Sequence, residues 1–159
     1  MEYLKYIVED STIAELLGVQ NFSNDESAVL ELVKNAYDAN ALIVTLEFID
    51  KTTLKITDNG DGMDSEDIKK NWMHIGKSNK GYDFIDTNNN VRVQAGAKGV
   101  GRFALSRLGE NIQLYSKKAQ KDGIVWKTDW NKSTLDLDSS IENKGTCIVI
   151  NNLREKWTL

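Results

Sequence analysis

An amphipathic helix that runs without a break into two β-rich segments is the strongest constraint on how this chain can fold. Residues 26–41, ESAVLELVKNAYDANA, have helical periodicity, and residues 41–49, ALIVTLEFI, follow directly with β-branched and aromatic side chains. Residues 53–57 alternate again beyond a short polar connection, so the pair reads as a hairpin leaving the end of the helix. On that helix Glu31, Asn35 and Asp38 recur at helical spacing. At about 100° per residue they share an arc of roughly 60°. Val29, Leu32, Val33 and Ala36 are expected on the opposite, core-facing side. A solvated face would mix Lys with Glu. A carboxylate, an amide and a second carboxylate in one stripe suit water activation and metal binding instead.

The 159 residues, 40% hydrophobic and 28% charged, suffice for one domain with its own core. No apolar run reaches the length of a membrane span, and residues 1–11 lack the apolar centre of a secretory signal. A single cysteine, Cys147, excludes an internal disulfide and a cysteine metal cage, so a cytoplasmic location is the expectation. The net charge of −4 gives no reason to expect a nucleic-acid partner.

Residues 1–24 read as an arm or edge helix that packs on the domain or on a partner subunit, with Ser11 as its N-cap and Gly18 as its stop. The main domain would then span residues 25–159. Asn24 or Asp25 caps the main helix, with acidic residues in the first turn. The second strand empties into DNGDGMD, residues 58–64, a tight loop whose glycines let the backbone approach a ligand. Residues 64–73 are helical, with Ile68, Trp72 and Met73 apolar. Residues 76–95 show no sustained period and are expected to be either disordered or a mobile lid extending to about 98. GAKGVGRFALSRLG, residues 96–109, opens on glycines and becomes a helix stopped by Gly109. Strand-like runs follow at 111–117, 123–130 and 146–151, the last preceded by a polar connection, 131–144.

Gly96, Gly99 and Gly101 sit at the start of that last helix, where bare backbone N–H groups and the helix dipole favour a phosphate. The pattern is no Rossmann fingerprint, since no strand precedes it, and it lacks the Gly-Lys-Ser/Thr ending of a Walker A loop. DNGDGMD superficially suggests a calcium loop, but Lys69 stands at the twelfth position. In order, ELVKNAYDANA, DNGDGM, GAKGVGRF and GTCIVI (residues 145–150) resemble the four motifs of the GHKL ATPases. That family includes DNA gyrase, the large heat-shock chaperones, histidine kinases and MutL, with the MORC proteins close by. A glutamate four residues before the asparagine looks like the hydrolase branch of chaperones, MutL and MORC.

The resemblance implies a Bergerat-type fold: a two-layer α/β sandwich with helices on one face of a mixed, mostly antiparallel sheet. It implies ATP and Mg²⁺ as ligands. Glu31 would orient and deprotonate the attacking water, and Asn35 would offer a neutral oxygen to Mg²⁺. Asp38 is left between ribose contact and backbone support. Asp58 can accept from adenine's exocyclic amine, where guanine carries an oxygen, with Gly60, Gly62 and Met63 lining the base. Lys98, Val100 and Arg102 would accompany Gly96, Gly99 and Gly101 at the phosphates. Lys77 and Ser78 resemble a lid-proximal pair. Thr146 resembles the threonine that helps satisfy adenine, often through water, or is a strand threonine without a ligand.

ATP-dependent lid closure and homodimerisation of a longer protein are further implications. Hydrolase branches bring a Lys or Arg to the γ-phosphate from a following domain. Nothing after the fourth motif here supplies one, so weak turnover is expected of this chain alone. Two other readings stay open: a histidine-kinase-type domain transferring the γ-phosphoryl to a partner, and a nucleotide-gated binding module with negligible turnover.

Overall fold

The hydrophobic pattern resolves into two layers. The computed structural model describes residues 1–75, 83–85, 91–93 and 101–158. Helix α1 (Asp10–Ala14) continues as a π-helical turn, Glu15–Val19, and α2 spans Asp25–Asp38. Strands β1 (Val44–Asp50) and β2 (Thr53–Asp58) form the expected hairpin, then α3 (Ser65–Asp67) continues as a π-helical turn, Ile68–Trp72. Two short strands, β3 (Asp83–Ile85) and β4 (Val91–Val93), pair with each other. A 3-10 turn at Gly101–Phe103 opens α4 (Ala104–Leu108), which leads into β5 (Gly109–Lys117). Strands β6 (Ile124–Thr128), β7 (Ser133–Leu137) and β8 (Gly145–Leu153) complete the order.

The main sheet runs β1-β2-β8-β5-β6-β7, and every pairing in it is antiparallel. The two-layer arrangement matches expectation, whereas the anticipated mixed sheet does not occur among the described residues. The connection between β2 and β5 passes through helices, and those two strands do run parallel, but β8 inserts between them and opposes both. Register stacks the inward side chains in rows: Leu54, Ile150 and Ile112, then Ile56, Ile148, Leu114 and Trp126. All seven are buried.

Helix α2 seals these rows with Ala28 and Leu32 and buries Ala36 one turn further on, each at most 4% exposed. Val29 and Val33 are half-buried beside that ridge, so the apolar stripe adjoins the polar one rather than opposing it. From α4 come Leu105 and Leu108, both fully buried. Leu105→Ala is expected to cost about 3 kcal/mol through lost burial and the cavity left behind. The cost would appear as a lower urea midpoint at unchanged slope.

Three local expectations change. Helix α1 starts one residue before Ser11, with Glu9 as N-cap and no side-chain cap. Gly18 does not stop it, since the chain stays helical to Val19. A Cβ at Gly18 would run into Ser106 Oγ, which donates to Ala14 O at 2.8 Å, so the glycine serves close packing of this arm on α4. β7 lies in the stretch read as a polar connection. It is an edge strand, and edges tolerate the polar residues that hid it. β3 and β4 fall within the stretch read as irregular, and three residues each are too few for alternation to show.

Candidate functional site

The site is built outward from α2. Asn24 caps it, accepting from Ser27 N at 2.7 Å, with Asp25 and Glu26 in the first turn, where the dipole favours them. Glu31 and Asn35 are half-buried and Asp38 is buried. The helix ends in a Schellman motif. Ala41 N donates to Ala36 O and Asn40 N to Tyr37 O, both at 3.0 Å, with Asn40 left-handed at φ 65°. Asn40 then reaches sideways, its Nδ2 donating to Asp61 Oδ2 at 2.7 Å.

That contact is one of several that tie the loop after β2 to the end of α2. Asp61 N donates to Ala39 O at 2.7 Å, and Asn59 Oδ1 accepts from Leu42 N and Ile43 N at 2.8 and 2.9 Å. Gly60 N donates to Asp58 Oδ1 at 2.8 Å, and Met63 N to Ser116 Oγ at 2.8 Å. Gly62 has φ +73°, and a Cβ there would run into Lys117 O, so this turn requires glycine. The loop is held at nearly every residue. Its two glycines serve backbone closeness to the protein itself as much as to any ligand.

Asp58, Thr146 and Ser116 are successive cross-strand neighbours on β2, β8 and β5. They form the next inward row beyond the two apolar ones, on the same face of the sheet. Asp58 is half-buried, and burial is the main reason its pKa is raised. Backbone hydrogen bonds from Gly60 and Thr146 pull it partly back, and Asp61 pushes it up again. Gly145, at φ +129°, brings β8 against the backbone of Asp58.

On the other wall, Gly101 packs directly on Glu31. A Cβ at Gly101 would run into Glu31 Oε1 and lie 3.2 Å from its Cγ. Gly101→Ala is therefore expected to turn the carboxylate aside. Any reaction that depends on it should slow by about tenfold or more, since small misplacements are costly, while the melting temperature stays nearly fixed. The described contacts of Arg102 lead away from this wall. Its Nη2 donates to Asn71 O at 3.2 Å, and its guanidinium lies 5.7 Å from the ring centroids of Trp72 and Phe103. Burial lowers its pKa.

Thus Glu31, Gly101, Asn35 and Asp38 lie along α2 and its neighbour, and Asp58, Gly60, Gly62, Met63 and Thr146 along the sheet end and its loop. Lys77, Ser78, Gly96, Lys98, Gly99 and Val100 lie outside the described residues, as does most of the expected lid. Sequence reasoning missed Asn40, Asn59, Asp61 and Ser116. Ser116 had a readable signal: it continues the inward parity of Ile112 and Leu114 yet is polar, and is fully buried.

The family model for histidine kinase-, DNA gyrase B- and HSP90-like ATPases matches residues 22–155. Chaperone protein HtpG of Campylobacter jejuni is 30% identical over 92% of this chain, which covers 28% of HtpG. A mitochondrial TNF receptor-associated protein 1 homolog of Dictyostelium discoideum is 28% identical over 94% of the chain and 24% of its own length. The putative type II restriction enzyme HgiDII of Herpetosiphon aurantiacus is 35% identical over 65% of the chain and 16% of its length. The chain thus spans under a third of the length of each of these relatives.

Proposed function

The chain belongs to the histidine kinase-, DNA gyrase B- and HSP90-like ATPases, and on that premise we propose that it binds Mg²⁺-ATP and hydrolyses it with water activated by Glu31. The observation that carries this reading is the contact between Glu31 and Gly101. It sets the carboxylate of the first motif against the bare backbone of the third, where a γ-phosphate and a water would meet.

The base lies at the other end, with Asp58 accepting from the adenine amine and Met63, half-buried and packed on the core, beside it. Among the described residues no group of three or more His, Cys, Asp or Glu could hold a metal unaided. A hard ion that takes few protein ligands and leans on phosphate oxygens fits such a site. Asn35 would hold Mg²⁺, which supplies neutralisation of phosphate charge when bound. Glu31 takes the proton as the water oxygen bonds to the γ-phosphorus and the bond to the bridging oxygen breaks, releasing ADP.

Two measurements test the whole reading: calorimetric titration with a non-hydrolysable ATP analogue, and phosphate release from ATP. Failure to bind the analogue overturns it. Labelled phosphate found on a histidine of a partner, rather than in solution, would favour the kinase reading. Nucleotide-driven pairing of two copies belongs to the same proposal, and sedimentation with and without the analogue reads it. Unaltered mass in both conditions counts against that part.

A further inference from the structure

The inward row that carries Asp58 and Thr146 also carries Ser116, which belongs to none of the four motifs. Its hydroxyl makes three contacts in a fully buried setting. It accepts from Met63 N at 2.8 Å, lies 3.1 Å from Gly145 O, and lies 2.8 Å from Thr146 Oγ1. A serine hydroxyl has one hydrogen and two lone pairs. The Met63 N–H occupies one lone pair, and Gly145 O, a carbonyl, can only accept, so it takes the serine hydrogen. The second lone pair of Ser116 is then filled by the hydroxyl hydrogen of Thr146. This assignment satisfies all three neighbours at once, and unmade buried hydrogen bonds are costly.

We propose that Ser116 fixes Thr146 as a hydrogen-bond acceptor and so makes the base site selective for a 6-amino purine over a 6-oxo purine. The proposal rests on the reading of Asp58 and Thr146 as the adenine floor. With its hydrogen committed to Ser116, Thr146 shows only lone pairs to the ligand. Asp58, whose Oδ1 already accepts from Gly60 N, likewise only accepts when ionised. The floor is then all acceptor. It suits an amino group directly or through one water, and it sets the oxygen of a 6-oxo purine against two acceptors. Without Ser116, the Thr146 hydroxyl can turn and donate to that oxygen. Ser116 is thus a positioning residue acting through Thr146.

ADP and IDP, which differ at the purine 6-position, are the probes, with affinities measured by calorimetry. Wild type is expected to favour ADP. In Ser116→Ala the ADP/IDP ratio should fall about tenfold, mainly through tighter IDP binding, as expected when a donor becomes available to an unpaired acceptor. Ser116→Cys, close in volume but a weak acceptor, should shift the ratio the same way and stands in if the alanine variant does not fold. On a Thr146→Val background, Ser116→Ala should leave the ratio unchanged. A parallel loss of both ligands at constant ratio would overturn the proposal, leaving Ser116 only as support for Met63. Equal affinity of wild type for ADP and IDP would instead sink the adenine-floor reading beneath it.

Discussion

Glu31→Gln is expected to slow phosphate release from ATP by roughly 10²–10⁴-fold, the usual contribution of a positioned general base. ATP affinity should stay within about threefold of wild type, because the proposed base and metal contacts are elsewhere. Glutamine keeps the volume that rests on Gly101 and can still hydrogen-bond a water, but it cannot take the water's proton. Glu31→Ala would add a void next to Gly101 and mix two effects, so the isostere is the sharper probe. Equal rates for wild type and Glu31→Gln, at equal ATP occupancy, would remove Glu31 from the chemistry. A loss of affinity matching the loss of rate would move it to binding instead.

Asp58→Asn should weaken ATP binding by roughly 100-fold, about 3 kcal/mol, the scale of losing a charge-assisted hydrogen bond and leaving a donor unpaired. Beside the Thr146 N–H, the asparagine has one acceptor oxygen to share between two further donors, the Gly60 N–H and the adenine amine. Whichever it serves, its own NH₂ then confronts the other. The pH dependence follows from the raised pKa of Asp58, set chiefly by burial. On the proposed reading ligand binding needs the carboxylate, so affinity should fall with acidification while still above the ordinary carboxylate range. Comparison with Asp58→Asn cancels the titration of the nucleotide itself. Folding runs the other way. A raised folded-state pKa means the native protein holds this proton more tightly than the unfolded chain. That stabilisation is full below the unfolded pKa and is lost as pH rises through the folded one. An affinity that stays level through the acid range, relative to the asparagine variant, would show that ionised Asp58 is not what the ligand meets.

Much of the fold was legible because periodicity is local. The α2 stripe, the β1–β2 hairpin and the inward parity of β5 all follow from residues within a few positions of one another. The elements that escaped carry weak local signals. β7 is a polar edge strand, and β3 and β4 are three residues each. Gly18 looked like a helix stop because glycines often are, yet its reason is a neighbour 88 positions away, Ser106, against which no side chain would fit. Asn40 fell within the stretch read as helical, 26–41, whereas the helix ends at Asp38. Its left-handed backbone was predictable from the chemistry of helix ends, but its bond to Asp61 was not.

The sequence alone determined the chemical complement: a carboxylate one turn before an amide on one helix, an aspartate at a strand end beside glycines, and glycines before a second helix. These are short-range facts, and local geometry carries them. Tertiary structure decided which of those groups face each other. Insertion of β8 between β2 and β5 puts Asp58, Thr146 and Ser116 in one row, although they are far apart in the chain. Packing of α2 against the turn that opens α4 brings Gly101 onto Glu31. Strand order and register are set by burying two apolar rows under two helices, a condition on the whole chain that no window of residues contains.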